Sequence, residues 1–373
     1  MQEDFKKLGS IAFKGIEEGR LTFESDEVGK LEDCGLLHRL PDLNIMAERP
    51  DRGPKAQYCF LHLTMQEFLA AKHITDTMNK EELRKFVSSH IEDGQWEVVL
   101  QFVAGLLSDR DEQLTDIFIN LLPMSTDKSG MVTCWPSKKD KHLAMSLCHC
   151  LYEIDARDSA VQKKIREIGF NALVLRSCKL GPADCTSIVN FVKMHDEILM
   201  IDLRDNNIGS LGCKEICKLL TRGDSGSNCK LNSLNLIEND ISDEGVKCLA
   251  EALTDSNCKL KSLNLTRNNS VTDEGVKYLA NALKHSNCSL ERLVLSENSI
   301  TDQGVKYLAQ ALKHSDCKLN SVVCQGSNIT DQGVKYLAKA LDRSNCKLTS
   351  YEFSLSMDNS PTSCAVQSGL FDS

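Results

Sequence analysis

The sequence predicts an α/β chain: a horseshoe of short parallel strands backed by helices fills the second half, and two mainly helical regions precede it. Three observations carry that reading. An apolar frame of the form L-x-x-L-x-L recurs about every 29 residues from Phe170 onward. From Ser242, and again from Thr272, Thr301 and Thr330, the frame is followed by a stretch with apolar residues at helical spacing, and nothing in residues 1–165 follows the frame. A period of this length is the signature of stacked repeats, each of which buries its apolar face only against its neighbours.

The frame opens at Phe170, Ile198, Leu231, Leu260, Leu290, Leu319 and Leu348, giving spacings of 28, 33, 29, 30, 29 and 29 residues. These are leucine-rich-repeat spacings, and the seventh unit is degenerate at Tyr351 and Phe353. Alternation with period two turns Leu234 and Leu236 inward from a strand and Asn235 outward. The Asn that follows (Asn206, Asn239, Asn298) sits where the chain leaves the strand, and its amide can satisfy the backbone groups freed by the bend. An extra residue within Asn268-Asn269-Ser270, and Ser327 in place of the ladder Asn, predict a weaker ladder at those two points. Ser242 through Leu253 has a capping Ser, acids in the first turn and apolar residues at helical spacing, so it forms an outer amphipathic helix. Thr272, Thr301 and Thr330, each followed by Asp, open the equivalent helices. Cys229, Cys258, Cys288, Cys317 and Cys346 recur once per unit and are read as small apolar residues at a tight packing position. Thr221 to Asn228, rich in Gly and Ser, is a rim loop.

With 373 residues, 41% hydrophobic and 26% charged, the chain has room for more than one core. A net charge of -9 argues against a general phosphate-binding surface, so nucleic acid is not the expected partner. No export signal is read after Met1, and the most apolar run, Val98 to Leu107, is too short to span a bilayer. Seventeen cysteines, an odd number, are read as reduced and mostly buried thiols of a cytoplasmic protein.

Residues 1–79 read as three helices and a wing. Leu8, Ile11, Ala12, Gly15 and Ile16 share a helix face; Ser25-Asp26-Glu27 starts a second helix that Gly35 ends. Pro41 to Gln57 is turn-rich, and Tyr58, Phe60 and His62 alternate as a return strand. Thr64-Met65-Gln66-Glu67 reads as a capping box for the third helix, with Phe68 and Ala71 behind it. The wing cations Arg49, Arg52 and Lys55 are offset by Glu48 and Asp51, which favours protein docking over DNA. Residues 80–165 read as a helical spacer, including Trp96, Val99, Leu100, Val103, Leu106 and Leu107. Residues 166–356 hold the repeats, and residues 357–373 are expected to be a disordered tail.

Leu8 to Ile16, Leu21-Thr22-Phe23, Gly35-Leu36-Leu37 and above all Phe60-Leu61-His62-Leu63-Thr64-Met65-Gln66-Glu67-Phe68-Leu69-Ala70-Ala71 resemble the winged helix of NACHT-domain leucine-rich-repeat receptors, the NOD-like receptors. Phe102 to Leu107 resembles their second helical domain, and the repeats resemble their ribonuclease-inhibitor type. The resemblance covers the chain to about residue 356. It implies an intracellular innate-immune receptor in which His62 contacts the β-phosphate of ADP; from the residues alone, His62 is a locally bonded strand-end His. A Walker A motif, G-x-x-x-x-G-K-[ST], is matched nowhere in the sequence. ADP or ATP is therefore expected only in a longer protein that supplies a nucleotide-binding domain, with no cofactor in this chain.

Enzyme motifs are likewise missing: the sequence has no G-x-S-x-G, H-E-x-x-H or paired CxxC. His142, Cys148, His149 and Cys150 are metal-ligand types, but helix positions two apart diverge by about 200 degrees, so no closed zinc site is expected. Two readings compete with the receptor half: a free-standing ribonuclease-inhibitor-like scaffold, and a leucine-rich-repeat regulator of a small GTPase. For a protein or peptide ligand, the outward strand offsets select Asp202, Arg204, Asp205, Asn235, Glu238, Asn264, Arg267, Arg292 and Glu297, along with Ile237 and Val294.

Overall fold

The computed structural model describes residues 2–41, 56–108, 116–126, 128, 130–135, 141–154, 159–195, 197–221, 230–325, 328–341 and 347–353. It separates into two compact units: Met1–Leu122 with His142–Val161, and Pro123–Lys141 with Gln162–Ser373. The expected wing tip, the rim loop after Thr221, Cys229, Ser327, Cys346 and the tail lie outside the described residues.

In the first unit, helix α1 (Gln2–Glu17) is followed by strand β1 (Phe23–Glu24), the short α2 (Ser25–Val28), a 3-10 turn, β2 (Leu37–Arg39), β3 (Gln57–Phe60) and α3 (Leu63–Thr77). The strands form an antiparallel sheet in the order β1-β3-β2, with Phe23 opposite Tyr58 and Leu37 opposite Phe60. Leu8, Ala12 and Ile16 of α1 and Leu69, Ala70 and Ile74 of α3 are buried, so α1 lies against α3 through the face read from the sequence. Their approach is close at Gly15, where a Cβ would fall 2.6 Å from the Phe23 ring and 2.7 Å from Gln66 Nε2. The return strand stops at Phe60, two residues sooner than its alternation suggested. His62 leaves the ladder to become the N-cap of α3, so Thr64 to Glu67 is not a capping box; Thr64 is already inside the helix.

Helices α4 (Lys80–His90), α5 (Glu97–Ser108), α6 (Asp116–Ile119) and most of α7 (Lys141–Glu153) complete this unit. Asn79 caps α4 by accepting from Glu81 and Glu82 backbone N–H at 3.0 and 3.1 Å, and Glu82 returns the bond to Asn79 N–H at 2.8 Å. Phe13 and Phe86 pack against Trp96 at ring separations of 5.4 and 5.0 Å.

The expected all-helical spacer is interrupted. Strands β4 (Met124–Thr126) and β5 (Val132–Cys134) form an antiparallel hairpin, and β5 pairs in parallel with the first repeat strand. The physical reason is local: Pro123 and Gly130, the latter at φ +82°, punctuate a stretch with β-branched Val132 and Thr133. The hairpin covers the sheet edge that would otherwise be open, and Trp135 seals it against Phe191 at 5.2 Å. A boundary at residue 165 therefore does not coincide with the division between compact units.

The second unit is a nine-stranded sheet in sequence order, from β4 to β12. After helix α8 (Ser159–Ile168), strands β6 (Ala172–Val174), β7 (Met200–Asp202), β8 (Ser233–Asn235), β9 (Ser262–Asn264), β10 (Arg292–Val294), β11 (Ser321–Cys324) and β12 (Ser350–Phe353) all pair in parallel. Leu173, Ile201, Leu234, Leu263, Leu293, Val322 and Tyr351 share one register row. From Leu173 to Val322 the row is at most 1% exposed. Helices α9 (Asp184–Met194), α10 (Gly209–Cys217), α11 (Asp243–Leu253), α12 (Asp273–Ala282), α13 (Asp302–Leu312) and α14 (Asp331–Leu341) alternate with the strands and pack on one another in order. Cys258, Cys288 and Cys317 are buried at strand entry. Burial pushes the Cys258 thiol up to about 11, which suits a packing role rather than a reactive one.

Two polar ladders lock the stack. In the first, Asn268 Nδ2 donates to the Leu236 and Leu265 carbonyls at 3.0 and 2.9 Å, while Oδ1 accepts from Asn239 and Ile241 N–H at 3.1 and 3.0 Å. Asn206 does the same one end earlier. The extra residue after Asn268 is absorbed by a Val271 N–H to Asn268 O turn, and Asn298 Oδ1 still accepts from Asn268 N–H at 2.8 Å. The larger gap falls elsewhere, at the fully buried Asn239, whose Oδ1 has no donor among the described residues.

The second ladder joins helix N-termini. Asp273 accepts from Thr301 N–H and Gly304 N–H, both at 2.8 Å, and from Thr301 Oγ1 at 2.6 Å. Asp243 and Asp302 repeat the pattern toward Thr272 with Gly275 and toward Thr330 with Gly333. Each carboxylate thus caps the helix of the next repeat, where orphan N–H groups and the positive dipole end favour an anion. The glycines follow from this contact, since a Cβ at Gly275, Gly304 or Gly333 would meet the incoming Oδ1 at 2.4, 2.6 or 2.5 Å.

Candidate functional site

His62 has an extended backbone, φ -146° and ψ 141°, and its Nδ1 accepts from Thr64 N–H at 3.1 Å. A neutral ring whose Nδ1 accepts carries its proton on Nε2, so the imidazole presents an outward donor. Exposed apolar residues flank it: Leu61 at 57% and Leu63 at 47%. Phe68, on the same helix, is also exposed and packs edge-on against Phe102 at 5.5 Å. The local-cap reading of His62 and an outward donor are therefore compatible.

On the sheet face opposite the helices, the residues singled out in the sequence fall into rows. The outward strand positions Asp202, Asn235, Asn264, Val294 and Val323 are neighbours in register. Just past the strands, Asp205, Glu238, Arg267 and Glu297 all adopt φ between +55° and +58°, so their side chains leave the same kind of bend. Exposure is uneven. Asp205, Glu238, Arg267, Arg292 and Glu297 are exposed, and Arg204, Asn235, Asn264 and Ile237 are half-buried. Asp202 and Val294 are buried, which corrects their reading as open contact residues.

Asp202 is covered because two guanidiniums close over it. Arg176 Nε donates to Oδ2 at 2.7 Å, and Arg204 donates from Nε to Oδ1 at 3.1 Å and from Nη2 to Oδ2 at 3.0 Å. Arg176 was not selected from the sequence, although it occupies the offset of Arg204 one repeat earlier. Arg267, by contrast, lies between Glu297 at 2.8 Å and Glu238 at 3.9 Å. Arg292 Nη1 donates to Ser321 Oγ at 3.0 Å. Arg267 is thus neutralised on both sides and is a poor anchor for a partner.

The ligand-type cluster around His142 does not converge. Cys148 and Cys150 are buried, burial pushes the Cys150 thiol up, and His149 Nδ1 faces Glu97 at 3.3 Å. Among the described residues, no group of three His, Cys, Asp or Glu is gathered as a metal site would need. No helix among them is long and apolar enough to cross a membrane.

Residues 62–162 match the family described as NLRC4 helical domain HD2, and residues 200–217, 227–250, 256–280 and 286–309 match leucine-rich repeats. In this order, the helical domain followed by the repeats is similar to the C-terminal part of NOD-like receptors. Human NLR family CARD domain-containing protein 3 is 27% identical over 66% of the chain and 27% of its own length. Human nucleotide-binding oligomerization domain-containing protein 1 is 28% identical over 66% of the chain and 30% of its own length. The chain thus spans under a third of these NOD-like relatives. A shorter likeness, 34% over 87 residues and 9% of its own length, is to a protein phosphatase 1 regulatory subunit 37 homolog of Caenorhabditis briggsae. A role in protein interaction follows from the repeats and the relatives together.

Proposed function

We propose that this chain is the ligand-sensing and autoregulatory half of an intracellular, cytoplasmic NOD-like receptor, acting by binding rather than by catalysis. The repeats would hold a protein or peptide ligand on the open sheet face. The first unit would meet the receptor's own nucleotide-binding domain. The observation that carries the second statement is the surroundings of His62: an outward Nε2–H donor between exposed Leu61 and Leu63. Exposed apolar side chains bracketing a fixed polar donor suit an interface that excludes water around one polar group. In that interface the donor would meet an ADP phosphate, which this chain has no Walker A motif to bind alone.

The test joins this chain to the nucleotide-binding region of nucleotide-binding oligomerization domain-containing protein 1 and measures ADP retained through purification. Loss of one hydrogen bond to a charged group weakens binding by about tenfold, so His62→Ala should lower retention on that scale while leaving the melting curve of the isolated chain unchanged. Equal ADP retention in both proteins refutes the phosphate contact.

A further inference from the structure

The open sheet face carries a strip of donors, with exposed acids only in the row beside it. Its first two members are Arg176 and Arg204. Asp202 beneath them is buried and takes a hydrogen bond from only Nε of Arg176, whose side chain is 42% exposed, so both terminal nitrogens of that guanidinium are uncommitted to it; Arg204 likewise keeps Nη1. Two cations over one carboxylate leave a local charge of about +1, and the buried anion holds both planes in place.

The next two members are amides whose orientation is fixed. Asn235 Oδ1 accepts from Ile237 N–H at 3.2 Å, and Asn264 Oδ1 accepts from Thr266 N–H at 3.1 Å and Thr266 Oγ1 at 2.7 Å. With each oxygen committed to its own backbone bend, the NH2 groups are what the half-buried side chains present to a partner. Asp202, Asn235 and Asn264 stand in one register row, so the donors run from the end of β6 across to β9. Strands are about 4.8 Å apart, so the strip is about 14 Å long, the length of about four residues of extended peptide.

We propose that this strip, Arg176–Arg204–Asn235–Asn264, recognises an acidic peptide segment of a protein partner, one carboxylate seated on the arginine pair and peptide carbonyls or a second acid on the two amides. This rests on the reading of the repeats as the ligand-binding part and names the chemistry they select. A polyanion such as nucleic acid is the poorer fit, because the next row over holds exposed Asp205, Glu238 and Glu297 and the chain carries -9 overall. Those flanking acids restrict the site to a short acid cluster and leave Arg267, already paired on both sides, outside it.

The experiment selects a random peptide library displayed on phage against the full chain, and measures the recovered peptides by fluorescence anisotropy. Recovered peptides should carry Asp or Glu within a window of about four residues, and changing those acids to Asn or Gln should weaken binding about tenfold or more. The Arg176→Gln with Arg204→Gln variant should lose the same peptides by a similar factor. Since that change uncovers Asp202, a second variant, Asn235→Asp with Asn264→Asp, turns donors into acceptors without touching the arginines and should also lose them. Arg267→Glu should alter binding less than about twofold. Recovery of peptides without acids, survival of acid peptides in both folded double variants, or no recovery at all overturns the proposal. Acid-free peptides that still compete with one another for the repeats would overturn the donor strip while leaving the repeats as a protein-binding part.

Discussion

Asp273→Ala tests whether the second ladder supports the stack or merely decorates it. The side chain accepts three hydrogen bonds, from Thr301 N–H, Gly304 N–H and Thr301 Oγ1, at 2.6 to 2.8 Å. Bonds to a charged acceptor are worth about 1.5 to 3 kcal/mol each, but the two donors of half-buried Thr301 recover part of that in water while buried Gly304 does not, and loss of a cap costs about 0.5 to 2 kcal/mol. Ala is also a slightly better helix residue than Asp. The net expectation is a loss of about 2 to 3 kcal/mol. Urea unfolding followed by helical ellipticity reads it, with hydrogen exchange at the Thr301 and Gly304 amides reporting the local site, because repeat stacks need not unfold in one step. Gly304→Ala supplies the cross-check, since its Cβ would meet Asp273 Oδ1 at 2.6 Å and Ile300 Cγ2 at 2.7 Å. Both changes break the same contact, so the double variant should lose at least about 1 kcal/mol less than the sum. A single-variant loss below about 0.5 kcal/mol, or strict additivity, would refute the ladder.

Three further outcomes follow. Leu263→Ala and Leu293→Ala each empty a fully buried position between neighbouring repeats and should cost about 2 to 5 kcal/mol, against which an unchanged thermal melt would count. His73 is held below the usual 6.5 by burial, with Asp76 opposing the shift. The unfolded state then takes up a proton first, so the first unit keeps its full stability above pH 6.5 and loses some as the pH falls toward the folded value. His73→Gln should flatten that slope in urea midpoints measured from pH 7.5 to 5. Asp202→Ala removes the carboxylate beneath two guanidiniums that are themselves open to water, so solvent recovers much of the lost attraction and the cost should be about 1 kcal/mol; a loss within error would show that Arg176 and Arg204 are not held by it.

The repeats were legible because a period of about 29 residues leaves little choice of fold, and the inward leucines obey a period of two that a strand imposes. The Asn ladder was legible for the same reason. Other features depended on contacts between repeats. Asp243, Asp273 and Asp302 read as acids serving their own helices, and only the stacked structure shows each capping the next one. Arg176 shares the offset of Arg204, but only the stacked strands show that both reach one buried carboxylate. The β4-β5 hairpin was hidden because each strand is only three residues long, too short to show a period, although Pro123 before it and Gly130 between its strands marked the turns. His62 alternated with Tyr58 and Phe60 and so joined their strand on paper, yet an imidazole within reach of the amide two residues on makes a cap instead.

The two ladder asparagines Asn239 and Asn268 look equivalent in sequence and should not be equivalent in energy. Both are fully buried. Asn268 Oδ1 serves the N–H groups of Asn239 and Ile241, and its Nδ2 serves the carbonyls of Leu236 and Leu265. Leu265 O has a second donor in Asn298 Nδ2. Asn268→Ala would therefore strand two buried N–H groups and one carbonyl, at about 1 to 3 kcal/mol apiece, for a loss of about 3 kcal/mol or more. Asn239 donates to Leu203 O and Ile237 O, but Leu203 O also accepts from Asn206 Nδ2, and Ile237 O from Asp205 N–H. Its Oδ1 serves nothing among the described residues, and the Asn206 N–H that it would meet in the ladder goes to Glu238 O instead. Asn239→Ala then costs little beyond the packing of the lost amide, about 1 kcal/mol. Urea midpoints of the two variants decide it: equal losses would mean that the backbone path after Leu203 lets Asn239 complete its rung as Asn268 does.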